Sequence, residues 1–232
     1  MKFRFDGPFL LFLRRFVRGM GLSEPLSRLL YGSGYEARVD EFIKSHVREG
    51  DVIWDIGANL GRYTHIFATL SGPNGRVIAF EPHPTTFSKL QAANNAPNVL
   101  CMELGLSDTA GMALFTSRED SELNSIVIGS SNEELVSVTI DTADNLLLRD
   151  PSFAPNFVKI DVEGFELKVL HGMGLVLNSP QTRIILVEIH HAIMDSMRIK
   201  DGAWQIADLM EQSGFLIEWI DPSHIVAMRP SS

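Results

Sequence analysis

A chain of 232 residues, 45% hydrophobic and 21% charged, has room for one α/β domain with a sizeable core plus an appendage. Its formal net charge of -9 argues against a nucleic-acid partner, because phosphate binding needs clustered Lys and Arg. Cys101 is the single cysteine, which excludes an intrachain disulfide and a cysteine-built zinc site and makes a reducing, cytoplasmic setting the expectation.

The first thirty residues carry +4 against -13 for the remainder. A helix is expected from about Phe9 to Met20, with Phe9, Phe12, Leu13 and Phe16 on one side and arginines nearby. It fits a lid or a helix packed on the main domain, and it also fits a segment lying on an anionic membrane. The first reading is preferred, since basic amphipathic patterns are weakly specific. The apolar run from Pro8 to Leu13 is too short to span a bilayer.

From Tyr35 to Val47 the apolar positions Val39, Phe42, Ile43 and Val47 recur at helical spacing, and Gly50 supplies a stop. A strand from Asp51 to Asp55, a helix from Arg62 to Leu70, a strand from Arg76 to Phe80, a helix from Thr85 to Asn94 and a strand from Val99 to Glu103 follow. This alternation predicts a doubly wound sheet. After Asp108 the pattern breaks into short strands at Met112 to Thr116, Ser125 to Ile128 and Val136 to Ile140, which read as a small β insertion. Alternation resumes with a strand from Phe157 to Val162, a helix from Phe165 to His171, a strand from Arg183 to His190 and a helix from Trp204 to Ser213. Phe215 to Ile220 and His224 to Met228 form a closing pair of strands.

The run Asp55-Ile56-Gly57-Ala58-Asn59-Leu60-Gly61 lies between the first strand and its helix, and Glu81 ends the next apolar run 26 residues after Asp55. Glycines there let the backbone turn tightly, and a carboxylate ending the second strand can accept both hydroxyls of a ribose. The pattern departs from the dinucleotide fingerprint G-x-G-x-x-G, which brings a pyrophosphate to a helix N-terminus. An acid stands first, and Asn59 occupies the position where a second glycine would let a diphosphate pass. Asp55 facing a cationic group fits the amino acid end of S-adenosylmethionine better than NAD. Tyr63 and Thr64, opening the next helix, are candidates to touch the cofactor carboxylate. Asp108 is a candidate acceptor for the adenine amino group, although Ser-Asp also commonly starts a turn.

Two later strands carry charges where helix-covered strands should be apolar. Alternation puts Lys159, Asp161 and Glu163 on one face of their strand, and Glu188 and His190 on one face of the next. Unpaired, each charge would cost several kcal/mol, on the order of the penalty for a buried ion, so these groups are paired or used. Open α/β sheets bind ligands outside the C-terminal ends of their strands, so Asp161, Glu163, Glu188 and His190 are expected at one crevice. For Lys159 the expected role is neutralising Asp161 or Glu188. Carboxylates with one imidazole also suit a divalent metal, but ligand geometry is not legible in sequence, and no metal is assigned.

Taken together, Asp55-x-Gly57-x-Asn59-x-Gly61-x-Tyr63-Thr64, Ala79-Phe80-Glu81-Pro82, Lys159-Ile160-Asp161-Val162-Glu163-Gly164 and Glu188-x-His190 resemble the FkbM family of S-adenosylmethionine-dependent methyltransferases. The resemblance covers about residues 51 to 191. It implies a class I methyltransferase (Rossmann-like) fold with a seven-stranded sheet whose last strand is antiparallel. It also implies O-methylation of a hydroxyl on a sugar or secondary metabolite. By the same resemblance Asp55 and Gly57 line the methionine end of the cofactor, Glu81 the ribose, Ser107 with Asp108 the adenine, and Asp161 lies near the sulfonium. Asn59, Gly61 and Tyr63 complete the expected cofactor set.

Asp161, Glu163 and His190 are the expected catalytic residues. His190 is the candidate base because imidazole titrates near neutrality, with Glu163 or Glu188 to orient it. Residues 1–50 are expected to be an N-terminal extension or lid and 51–232 the cofactor-binding domain. The expected partner is a small-molecule or glycan acceptor, with room for a homodimer. The rival reading is a catalytically silent cofactor-fold module that docks a partner or membrane through its N-terminal helix.

Overall fold

The computed structural model describes residues 34–116 and 135–230. The expected N-terminal helix and the strand at Ser125 to Ile128 lie outside the described residues. The chain divides into two compact units, Met1–His46 with Ile220–Pro222, and Val47–Trp219 with Ser223–Ser232. In the first, helix α1 (Gly34–His46) follows the apolar spacing, and Val39 and Ile43 are buried.

In the second unit β1 (Val52–Ile56), α2 (Arg62–Ser71), β2 (Arg76–Phe80), α3 (Pro84–Ala93) and β3 (Val99–Met102) match the expected elements within one or two residues. There follow β4 (Gly105–Leu106), β5 (Gly111–Thr116), β6 (Leu135–Asp141), α4 (Ala143–Arg149), a 3-10 turn (Pro151–Phe153) and β7 (Phe157–Ile160). The chain continues through α5 (Glu166–His171), α6 (Gly174–Asn178), β8 (Ile184–Glu188), α7 (His191–Ser196), α8 (Gly202–Gln212), β9 (Leu216–Asp221) and β10 (His224–Met228).

The main sheet has seven strands in the order β3-β2-β1-β7-β8-β10-β9, and β10 runs antiparallel to β8. β1 lies between β2 and β7 and is parallel to both, with Asp55 opposite Ala79 on one side and Lys159 on the other. Chain direction across the sheet reverses there, and a crevice opens outside such a switch point. The insertion is a separate three-stranded sheet, β4-β6-β5.

Alternation sorts the strands into two faces. Trp54, Ile56, Val158, Ile160, Ile185 and Val187 join the largest core with Leu146, Val169, Leu170, Met173 and Met210. On the opposite face Phe67 of α2 meets Phe157 with ring centroids 5.5 Å apart. Trp54 is fully buried and its indole N–H donates to the Phe153 carbonyl at 2.8 Å, so its one polar atom is satisfied.

The structure departs from expectation where elements are short. β4, α4, α6 and α7 had no predicted counterpart; each is seven residues or fewer, too brief for a helical period to register. For α4 a signal existed: Thr142 accepts from the Asn145 backbone N–H at 3.0 Å, an N-cap that Thr-Ala-Asp-Asn spells out. β7 ends at Ile160 and β8 at Glu188, earlier than expected. Glu163 (φ 50) and Gly164 (φ 93) turn the chain into α5, so Glu163 is placed by a turn and not by strand alternation.

At the end of α5 the backbone passes so close to the loop after β4 that a Cβ on Gly172 would lie 1.9 Å from the Ser107 carbonyl oxygen. Gly172→Ala is therefore expected to lower stability by about 1–3 kcal/mol, the range for overpacking. The measurement is the urea midpoint at unchanged slope.

Candidate active site

A cleft of about 840 Å³, counted to its open mouth, lies outside the C-terminal ends of β1, β2 and β7. Gly57, Asn59, Glu81, Ser107, Asp161 and Glu163 line it, with an apolar wall that includes Leu104, Leu106, Phe115, Ile140 and Phe165. Six of the eleven expected site residues thus meet at one opening. Asp55, Gly61, Tyr63, Asp108 and His190 are not on its wall.

The loop after β1 is held by backbone bonds and one acid. Gly57 and Ala58 N–H both donate to the Phe80 carbonyl, at 3.0 and 2.9 Å. Glu81 accepts from the Asn59 N–H at 3.1 Å through one oxygen and from the His83 N–H at 3.0 Å through the other. A Cβ on Gly57, whose φ is +80, would lie 1.9 Å from the Asp161 carbonyl oxygen, so the two sides of the cleft floor meet only because this residue has no side chain. Burial pushes the Glu81 carboxyl up to about 7, against the two backbone donors.

Asp55 lies beneath the loop at 1% exposure. It accepts from the Thr64 hydroxyl at 2.6 Å through Oδ2, while Oδ1 is buried without a hydrogen-bond partner. Burial raises its pKa, opposed chiefly by the Lys159 charge. Thr64, fully buried, is thus a partner of Asp55, which corrects its expected place against a cofactor carboxylate. Tyr63 sets its ring 4.6 Å from the Lys159 ammonium. Gly61, with φ 87, is the N-cap of α2. Ser107 is buried and donates to Asp108 at 3.1 Å, and Asp108 is exposed.

The charged face of β7 is paired, as expected for Lys159. Its ammonium, 2% exposed, meets Asp161 Oδ2 at 2.8 Å. Burial would lower the Lys159 pKa, but Asp161 and Asp55 more than offset it and hold the group above its ordinary range. Burial would raise Asp161, and Lys159 holds it below the usual carboxylate range.

His190, the N-cap of α7, faces acids from both ring nitrogens. Nδ1 lies 2.7 Å from Glu166 Oε1, and Nε2 lies 3.2 Å from Glu163 Oε2 and 3.6 Å from Asp161 Oδ1. Burial would lower its pKa, but the hydrogen bond and charge of Glu166, then Glu163 and Asp161, carry it up to about 9. The expectation of an imidazole titrating near neutrality is therefore corrected: the free protein holds an imidazolium at pH 7. Glu163 itself is pushed up to about 7 by burial, His190 opposing.

Of the two expected orienting residues, Glu163 meets the ring at Nε2 and the other is corrected. Glu188 does not reach His190; it pairs instead with His224 at 3.4 Å, its opposite number on β10. Glu166, fully buried, takes the orienting position. Sequence reasoning missed Glu166 and His224, because an acid in the first turn of a helix reads as an ordinary dipole partner. Asp161, Glu163 and His190 are the one trio among the described residues whose donor atoms lie within 4.8 Å of one another.

Residues 55–220 match the Methyltransferase FkbM domain, which is most of the chain. The chain belongs to the FkbM methyltransferase family. Within it, the chain is 33% identical over 160 residues to hexuronic acid methyltransferase AglP of Haloferax volcanii, covering 68% of this chain and 64% of that one. It therefore spans less than two thirds of AglP. It is 26% identical over 205 residues to 31-O-demethyl-FK506 methyltransferase FkbM of Streptomyces tacrolimicus, covering 74% and 75% of the two chains. Among solved structures, the FkbM methyltransferase of Methylobacillus flagellatus superposes with a TM-score of 0.51 at 17% identity, over 77% of this chain and 43% of that one. Precorrin-6y C5,15-methyltransferase of Geobacter metallireducens gives a TM-score of 0.50 at 17% identity, over 84% and 88%. These likenesses establish the class I methyltransferase fold expected from the family resemblance.

The His190 charge has a consequence for stability. A group whose folded pKa of about 9 exceeds its ordinary 6.5 contributes stability that is complete below about pH 6.5 and lost as pH rises through 9. The melting temperature of the wild type is expected to fall between pH 6.5 and 9, and His190→Gln to flatten that part of the curve. Calorimetric scans across this range at constant ionic strength make the comparison.

Proposed function

We propose that this protein is an S-adenosylmethionine-dependent O-methyltransferase whose acceptor is a hydroxyl on a sugar or other small metabolite. The observation that carries the reading is Glu81, a buried carboxylate at the end of β2 fixed by two backbone N–H groups on the rim of the cleft, with Asp161 and Glu163 across the same opening. The residues fit the cofactor. Glu81 has acceptor capacity left for both ribose hydroxyls, Asp55 has one unpartnered oxygen for an ammonium, and Gly57 leaves the methionine end a floor free of side chain. The apolar wall of Leu104, Leu106, Phe115 and Ile140 suits an adenine, with Ser107 at its edge.

When bound, S-adenosylmethionine supplies an electrophilic methyl group on a sulfonium. Asp161, held below the usual carboxylate range on the cleft wall, would place negative charge near that cation. Holding a hydroxyl in line with the methyl carbon removes about 7–11 kcal/mol of the barrier, so alignment is the larger part of catalysis. His190 takes the hydroxyl proton only in its neutral form, the minor state at pH 7, and a base so placed contributes up to about 10²–10⁴ in rate. The single cysteine supports a cytoplasmic setting. The acceptor class rests on the relatives, one named for a hexuronic acid and one for 31-O-demethyl-FK506. No helix among the described residues is long and apolar enough to cross a membrane.

Calorimetric titration with S-adenosylmethionine and its demethylated product tests the reading, and binding of neither would end it. Ribose hydroxyls donate to ionised Glu81, so binding removes the proton that this carboxyl keeps below about pH 7. Affinity is accordingly expected to tighten as pH rises from 6 to 8. Glu81→Gln should abolish that dependence and weaken binding by about tenfold or more, corresponding to the roughly 1.5–3 kcal/mol of a hydrogen bond to a charged group.

A further inference from the structure

Glu166 belongs to the first turn of α5 and is fully buried, yet one of its oxygens serves two donors. Oε1 accepts from the Gly164 N–H at 2.9 Å and lies 2.7 Å from His190 Nδ1. Oε2 is buried without a partner. A buried carboxylate left half satisfied is expensive to keep unless its charge is used, and the single cationic side chain it touches is His190.

We infer that Glu166 is a positioning residue for methyl transfer: by holding the proton of His190 on Nδ1, it turns Nε2 toward Glu163 and Asp161 and so toward the cleft. The inference rests on the methyltransferase reading and adds a member to its site. Other charged groups around the imidazole are Asp161 and Glu163 in the turn after β7, Lys159 on β7, Glu188 on β8 and His224 on β10. Glu163 and Asp161 compete for a proton at Nε2 from 3.2 and 3.6 Å, but Glu166 hydrogen-bonds Nδ1 at 2.7 Å, and this shorter contact favours the proton on Nδ1 when the ring is neutral. In the transfer, the acceptor oxygen forms its bond to the methyl carbon as the carbon–sulfur bond breaks and its electron pair returns to sulfur. The hydroxyl proton passes to His190 Nε2, and Glu166 balances the positive charge that results. The arrangement is that of a base oriented by a buried acid.

Glu166→Gln separates this role from a structural one, since the amide oxygen can still accept from Gly164 N–H and only the charge is lost. Nitrogen-15 NMR of the histidine side chains, with the His190 signals identified by their loss in His190→Asn, reads both tautomer and titration without an acceptor. In the wild type above pH 10 the neutral ring should keep a protonated Nδ1 and a bare Nε2. In Glu166→Gln the His190 midpoint should fall by about one pH unit or more, the usual effect of one adjacent opposite charge. S-adenosylmethionine affinity, measured at pH 7.5, should stay within about threefold of wild type, since Glu166 is not on the cleft wall. A wild-type ring protonated on Nε2, an unmoved midpoint in Glu166→Gln, or a loss of cofactor affinity beyond about tenfold would each overturn the inference. Failure of the wild type itself to bind S-adenosylmethionine would instead overturn the reading beneath it, whatever the NMR shows.

Discussion

One ammonium underlies the catalytic end of this molecule. Lys159 is buried in the middle of a parallel strand, in register with Asp55 on β1 and bonded to Asp161 just past its own strand end. An isolated ammonium there would be prohibitive, and so would two carboxylates without it. Asp55 is held by Lys159 and Thr64, and Asp161 by Lys159 and His190, so acids on two neighbouring strands are tied through a single cation. Asp161, the acid of the two that lines the cleft, is thereby kept ionised.

Around that core, the two sides of the cleft are built by different means. The cofactor side is mostly backbone: Gly57, Ala58 and Asn59 N–H groups are aimed at fixed acceptors on β2 and Glu81, and Gly57 lets β1 approach Asp161. The opposite side is made of side-chain charges in a short turn with two left-handed residues, Glu163 and Gly164. Backbone wiring gives a rigid receptor, whereas clustered acids around one imidazole give a group whose proton responds to any new charge nearby. Backbone-fixed donors and a cluster of titratable side chains are thus placed on separate strands.

Much of this was legible in the residues. The parallel strands announced themselves as short apolar runs, and face alternation on β7 correctly singled out Lys159 as a charge needing a partner. The motif at Asp55 to Gly61 with Glu81 pointed to the crevice that Gly57, Asn59 and Glu81 line, because strand ends and turn glycines have local signatures. What stayed hidden depended on tertiary register. Glu188 was assigned to His190 by alternation along a strand that in fact stops at Glu188, and its true partner, His224, is 36 positions away on an antiparallel neighbour. Glu166 looked like any helix-opening acid, since only the fold brings His190 beside it. Brief helices such as α6 and α7 span too few residues to display a period.

The position of β1 also bears on how the chain finds its native state. Its neighbours are β2, some twenty residues downstream, and β7, about a hundred downstream, since Ile53 is paired with both Val77 and Phe157. The first pairing closes a short loop, and the second must gather a hundred residues at a larger entropic cost. Topologies dominated by such distant partners reach their native arrangement slowly. The crevice between these strands is complete only once β7 docks, and a chain released before β7 has emerged would carry the glycine loop, Asp55 and Glu81 without Asp161 and Glu163.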